Sequence, residues 1–488
     1  MVDGLDVLLI DGELRHARRT FPTIDPATEE TLGPAADGDA NDLDAAIAAA
    51  REAFDSDIGG WTSDPVFRAS CLRQLRDAMQ RHADELRELT VAEVGCPVFL
   101  THGGPQLDAP VADLGWIADL VERYEWSSDL GVAEPMGVRT RRTILKEPAG
   151  VVGAITPWNF PHQINLAKLG PALGSGSTIV LKAAPDTPWC ASSVARLIVE
   201  ETEIPPGVVN VVTSSDHALG EQLTCDPRVD VVSFTGSTAT GKRVAANAAD
   251  TVKRVFLELG GKSAFIVLDD ADLGAACSVA AFTVATHAGQ GCAITTRLLV
   301  PRTSYDDCVD ATAATLAKIG CGDPSDPSTV CGPLISARQR DRVEGYLELA
   351  KHEGGSFATG GRRSPERTEG FWIEPTLVTG LSNDARTARE EIFGPVLVVI
   401  PHDGDADAVR LANDSPYGLS GSVHSGEAER AGRVARAVRT GTMSINGGVW
   451  YAGDVPFGGY KSSGVGREMG EQGFEEYLET KVVAEPAP

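Results

Sequence analysis

Cys292 stands in the segment His287-Ala288-Gly289-Gln290-Gly291-Cys292-Ala293, and Glu258 lies 34 positions upstream in Leu257-Glu258-Leu259-Gly260-Gly261-Lys262. A thiol nucleophile and a separate carboxylate base, each in a glycine-rich turn beside an apolar run, suit covalent acyl transfer followed by hydrolysis. The position of Glu258 between two leucines points to partial desolvation, which raises a carboxylate pKa toward the range useful to a general base. Either segment alone is weak evidence, because a free cysteine is usually a buried structural thiol.

Groups of this kind are displayed from loops at the ends of rigid strands and helices. Short apolar runs, β-branched at most positions, recur at 151–155, 177–181, 208–212 and 231–234. Helical stretches at 191–202 and 240–249 separate them, the βαβ grammar of a parallel sheet buried on both faces and a nucleotide-binding type of lobe. A second α/β series has strands at 264–268, 297–300 and 395–400 and helices at 304–318 and 337–352. Cys292 is expected in a loop after a helix that ends near His287. Residues 40–56 and 64–94 read as amphipathic scaffold helices. The stretches 138–148 and 477–487 look extended and fit neither lobe, and 362–368 reads as a surface loop. Gly236-Ser237 opens a helix whose N-terminal amides suit a pyrophosphate. That pattern is not the GxGxxG fingerprint, and a glycine before a helix is by itself weakly specific.

A chain of 488 residues exceeds one ordinary core, so two or three lobes are expected. The formal net charge of -26 disfavours binding to a phosphate backbone, so no nucleic-acid partner is expected. Nine scattered cysteines, an odd number with no CxxC pair, fit neither a disulfide framework nor a metal site and indicate a reducing compartment. No run approaches 18 apolar residues and the N-terminus has no basic leader region, so a cytoplasmic protein without a membrane partner is expected.

Further segments sharpen the reading: Ile155-Thr156-Pro157-Trp158-Asn159-Phe160-Pro161 followed by Lys182, Ser233-Phe234-Thr235-Gly236-Ser237, Glu390-Glu391-Ile392-Phe393-Gly394-Pro395, and Pro456-Phe457-Gly458-Gly459. In order and spacing the chain resembles the aldehyde dehydrogenase superfamily, from about residue 20 to the C-terminal tail. The resemblance implies an α/β fold in three parts. These are a Rossmann-like parallel-sheet NAD(P)-binding domain over 1–126 and 149–257, a second α/β catalytic domain over 258–456, and a small β oligomerisation arm over 127–148 and 470–488. It also implies a homodimer or homotetramer.

The resemblance assigns Cys292 as nucleophile, since it alone stands in the family's Gly-Gln-x-Cys context. Asn159, through its side-chain amide, joins the backbone N–H of Cys292 as an oxyanion hole. Glu258 becomes the base for thioester hydrolysis; coenzyme A-acylating relatives lack this glutamate. Lys168 and Glu468 match a proton-relay network, with a solvated surface charge as the alternative for each. Thr156, Pro157, Trp158 and Leu259 belong to the cofactor cleft, with Gly236-Ser237 at the pyrophosphate. Lys182 matches the adenine-ribose lysine, and Glu391 with Phe393 the nicotinamide-ribose pair. NAD is the expected cofactor. One departure keeps NADP open: many NAD-dependent members carry a glutamate where this chain has Pro185, which neither accepts from ribose hydroxyls nor repels a 2'-phosphate.

The family's substrate funnel falls here on Phe160, Gln163, Ala167, Gly291, Ala293, Trp450, Tyr451 and Phe457, with no lysine or arginine among them. An apolar aliphatic, terpenoid or aromatic aldehyde is therefore expected in preference to a semialdehyde, whose distal carboxylate would want a cation. A semialdehyde dehydrogenase, an acylating or phosphorylating dehydrogenase, and a non-catalytic structural protein on the same fold are the alternatives.

Overall fold

The β-branched runs after Gly150 pair side by side because each is apolar on both faces and short enough to be roofed by the helices that follow. The computed structural model describes residues 4–487; Met1–Asp3 and Pro488, the ends of two of the expected domains, lie outside the described residues. Strands Arg254–Glu258, Val231–Thr235, Val151–Ile155, Thr178–Lys182 and Val209–Val212 form, in that spatial order, the parallel centre of an eight-stranded sheet. Their side chains are almost all buried, as a sheet covered on both faces requires. The edges are antiparallel additions that sequence reading did not identify. Val7–Ile10 pairs with Val209–Val212 and Glu13–His16 follows it, while Gly464–Val465 joins Arg254–Glu258 on the other side.

A seven-stranded sheet forms the second lobe, with strands from Thr376–Thr379 through Val396–His402, Thr295–Pro301, Ser263–Val267 and Gly421–His424 running parallel. Its core includes Phe265, Leu298, Leu299, Val398 and Val399. The predicted helices are present as Tyr305–Ile319 and Ala337–His352.

One expectation needs correction. Residues 64–94 are not one helix but two, Pro65–Arg81 and Ala83–Val94, because His82 leaves the helical region at φ -97, ψ 15. The extended stretches 138–148 and 477–487 pair with each other within the chain. Strand Leu478–Pro486 runs antiparallel to Thr140–Pro148, which also pairs with Ser127–Ala133. Residues 470–475, expected in that arm, form a short helix packed on the helix Pro161–Ser175 of the first lobe. Among the described residues no helix is long and apolar enough to cross a membrane, and no cluster of three or more His, Cys, Asp or Glu is placed to hold a metal.

Candidate active site

The carboxyl ends of the first sheet's strands face one loop of the second lobe. Glu258 ends the strand Arg254–Glu258, and Asn159 sits between the strand Val151–Ile155 and the helix Pro161–Ser175. Cys292 follows the helix Leu273–Ala285 through a tight turn in which His287 and Ala288 adopt left-handed backbone, φ 52 and 50. Such conformations in non-glycine residues are held by their surroundings. The two loops close because Gly261 has no side chain: a Cβ there would lie 2.5 Å from the carbonyl oxygen of Cys292.

Cys292 is half-buried, and burial, with Glu391 and Glu258 nearby, pushes its thiol up to about 12. It is therefore a protonated thiol at neutral pH until a neighbouring base takes the proton. Glu258 is buried, and neither carboxylate oxygen has a protein hydrogen-bond partner. Burial, then the negative charge of Glu468, raises its pKa well above the usual carboxylate range. A buried carboxyl with free oxygens, facing a cavity on each side, can accept a proton from a water held there. Lys168 and Glu468 are both buried, so neither is the solvated surface charge that the sequence also allowed. They form an ion pair, Lys168 Nζ donates to Ser233 Oγ at 2.8 Å, and Thr235 Oγ1 donates to Glu468 at 3.3 Å.

Two cavities meet at this point. One, of about 450 Å³, runs past Trp158, Leu259, Glu391 and Phe393 into a second of about 660 Å³ lined by Thr156, Lys182, Pro185 and Ser237. Pro157 and Gly236 border both. Ser237 caps the helix Thr238–Ala249, whose Thr240 N–H donates to Ser237 Oγ at 3.2 Å. Glu391 accepts from the Gly261 N–H at 2.8 Å, and burial lifts its carboxyl to about 7. Phe393 meets Trp158 edge-on at 5.4 Å. Burial lowers the ammonium of Lys182 to about 8.

The features fit a dinucleotide. Thr156 Oγ1 is buried without a partner among the described residues, and no acidic side chain stands in the first turn of the capped helix to repel a phosphate. Sequence reading missed two residues here. Exposed Arg338 borders both cavities, and Asp186 carries a carboxylate beside Pro185. Asp186 was within reach of a reader, since it follows the departure at Pro185; Arg338 carries no local motif.

From the other side a tunnel of about 220 Å³ reaches Cys292 and Glu258 between Phe160, Ala167, Trp450 and Phe457. Trp450 stacks on Phe457 at 5.3 Å and 8°. Among the described residues no lysine or arginine lines it. Asp113, on the helix Asp108–Arg123, to which sequence reading assigned no role, faces a small side chamber that shares Ala167 and Tyr451 with the tunnel. Burial pushes its carboxyl up to about 6 against a hydrogen bond from Tyr451.

Residues 14–483 match the Aldehyde dehydrogenase family. The chain belongs to the aldehyde dehydrogenase family. Among curated aldehyde dehydrogenases it is 40% identical over 478 residues to 3-succinoylsemialdehyde-pyridine dehydrogenase of a Pseudomonas species, covering 97% of each chain. It is also 40% identical over 465 residues to geranial dehydrogenase of Castellaniella defragrans, covering 94% of each. Betaine aldehyde dehydrogenase of Staphylococcus aureus, solved in complex with NAD+, superposes with a TM-score of 0.94 at 35% identity, over 99% of this chain and 95% of that one.

Within this aldehyde dehydrogenase one glycine bears directly on Glu258. A Cβ at Gly458 would lie 2.7 Å from Glu258 Oε1. Gly458→Ala is therefore expected to displace the carboxyl and lower steady-state turnover about tenfold, the scale of a small misplacement of a reacting group. Turnover measured beside the melting temperature checks this, and an unchanged rate in a folded variant would show that the carboxyl has room to move.

Proposed function

We propose that this protein oxidises an apolar aliphatic or aromatic aldehyde to its carboxylic acid with NAD+ through a cysteine thioester that is then hydrolysed. The observation that carries the reading is that Cys292 and Glu258 form the common wall of two cavities, one suited to a dinucleotide and one to an apolar chain.

An aldehyde entering past Trp450 and Phe457 presents its carbonyl to Cys292. The thiol gives its proton to a neighbouring base, and sulfur adds to the carbonyl carbon. The resulting oxyanion takes hydrogen bonds from the Asn159 side-chain amide and the backbone N–H of Cys292. NAD+, when bound, supplies the hydride acceptor, and Glu391 with Phe393 and Trp158 orient that end of the cleft. Collapse of the oxyanion expels the hydride and leaves a thioester on Cys292. Glu258 then takes a proton from a water, whose oxygen attacks the thioester and releases the carboxylate. The pair Lys168–Glu468 passes the accepted proton away from Glu258. The antiparallel arm, with exposed Leu130, Val132 and Val482, supports a homodimer or homotetramer.

The apolar tunnel without a cation supports the substrate class, and the geranial dehydrogenase similarity accords with it. A semialdehyde is the second reading, favoured by the name of the 3-succinoylsemialdehyde-pyridine relative. Asp113 argues against it. At pH 7 to 8 its carboxyl, with a pKa of about 6, is ionised and repels a substrate carboxylate; the repulsion fades as pH falls through 6.

Reduced-cofactor formation with octanal, benzaldehyde and succinate semialdehyde, each with NAD+ and NADP+, tests the reading. Higher kcat/KM for the semialdehyde would sink the substrate assignment, and NADP+ turnover would trace to Pro185. Asp113→Asn is expected to improve succinate semialdehyde use about fivefold at pH 8, the worth of roughly 1 kcal/mol of like-charge repulsion, and to change nothing at pH 5.

A further inference from the structure

We propose that Gln106 and His287 are positioning residues that clamp the backbone of Asn159 and thereby aim its side-chain amide at the substrate oxygen. The inference rests on the oxyanion role given to Asn159 above. The carbonyl oxygen of Asn159 accepts two buried hydrogen bonds, from Gln106 Nε2 at 2.9 Å and from His287 Nε2 at 2.9 Å. Its side chain is held as well: Asn159 Nδ2 donates to the carbonyl of Gln290 at 3.0 Å. A primary amide has two N–H groups, so this bond leaves one free in the cleft shared with Cys292. Gln290 is fixed in turn, since its Oε1 accepts from the Ile335 N–H at 2.9 Å and its Nε2 donates to Pro333.

The clamp residues carry costs that packing alone does not explain. Gln106 is wholly buried, yet its Oε1 has no partner. An apolar residue of the same shape would escape that penalty, so what this site gains from glutamine is its donor. His287 is wholly buried with Nδ1 unpartnered and sits in left-handed backbone. Burial lowers its pKa to about 4, so at working pH it is neutral. The Nε2–H tautomer then makes it a donor to Asn159. Gln106 comes from the segment before the helix Asp108–Arg123 and His287 from the nucleophile turn, so the clamp ties the first lobe's oxyanion donor to the second lobe's cysteine.

Gln106→Met and His287→Phe remove the donors at similar volume. The readout is the single-turnover rate of reduced-cofactor formation, with NAD+ affinity, iodoacetamide alkylation of Cys292 and melting temperature as controls. The expected result is a rate loss of about 10- to 100-fold with cofactor affinity and alkylation unchanged, partly restored in His287→Gln. Asn159→Ala alone should lose roughly 100-fold or more, and adding Gln106→Met to it should cost nothing further. Gln106→Met at the wild-type rate while Asn159→Ala is slow would overturn the clamp alone, as would a full additional loss in the double variant. Asn159→Ala at the wild-type rate would remove the oxyanion reading and the clamp with it. If His287→Phe fails to fold, Gln106→Met carries the test.

Discussion

Cys292→Ala is expected to form no reduced cofactor from any aldehyde and to release no nitrophenol from a p-nitrophenyl ester, a loss of roughly 10⁴-fold or more. Both reactions need sulfur to make a bond to the acyl carbon, and no other thiol shares the cleft: of the nine cysteines only Cys292 lines either cavity that meets there. Burial, with the carboxylates beside it, holds its thiol up to about 12 and sets a pH signature in the wild-type protein. Without cofactor, alkylation by iodoacetamide at Cys292 should climb about tenfold per pH unit above neutrality, because only the thiolate reacts. Peptide mapping of the label at pH 7, 8 and 9 measures this. A plateau by pH 8 would mean that the cysteine is already ionised.

Glu258→Gln separates the two halves of the reaction. Sulfur addition and hydride loss need no water, so this variant should release one equivalent of reduced cofactor per site in a burst. The thioester then waits for a water with no base beside it, and steady-state turnover should fall about 10²- to 10⁴-fold. Rapid-mixing absorbance shows the burst, and intact mass shows the acyl adduct on Cys292. A steady-state rate equal to wild type would falsify the assignment of Glu258 as base. Glu468→Gln removes the charge that Glu468 exerts on this position, whereas Glu258→Gln removes the base itself, so the two variants need not be equivalent.

The sequence made the reactive loops legible because chemistry of this kind writes itself into short contiguous segments. The turns around Asn159, Glu258, Cys292 and Glu391 combine a functional side chain with glycines or prolines that let backbones approach, as Gly261 does at Cys292. The short apolar β-branched runs likewise announced both parallel sheets. What stayed hidden depends on contacts between distant segments. Asp113 and Gln106 belong to a stretch to which sequence reading assigned no role, and nothing local marks them as neighbours of the tunnel or of Asn159. The strand Val7–Ile10 went unread because, beyond its short hairpin with Glu13–His16, it joins the sheet only through Val209–Val212, two hundred positions away. The arm strands read as extended, but only their register, Leu478 opposite Pro148, reveals that they serve each other.

The return of Gly464–Val465 to the edge of the first sheet makes the second lobe an insertion between two neighbouring strands of the first. A ribosome making this chain therefore finishes the whole second lobe before it delivers the segment that closes the first. Glu258 is synthesised early, but Glu468, the partner that charges its surroundings and pairs with Lys168, emerges 210 residues later. Domains fold as units in the order they appear, so the nascent chain must keep Lys168 without its counter-ion while 300 of its 488 residues are made. The finished base pocket is thus a product of the last stage of synthesis, and truncated chains that stop short of Glu468 carry every reactive residue of the cleft without a charge-balanced site.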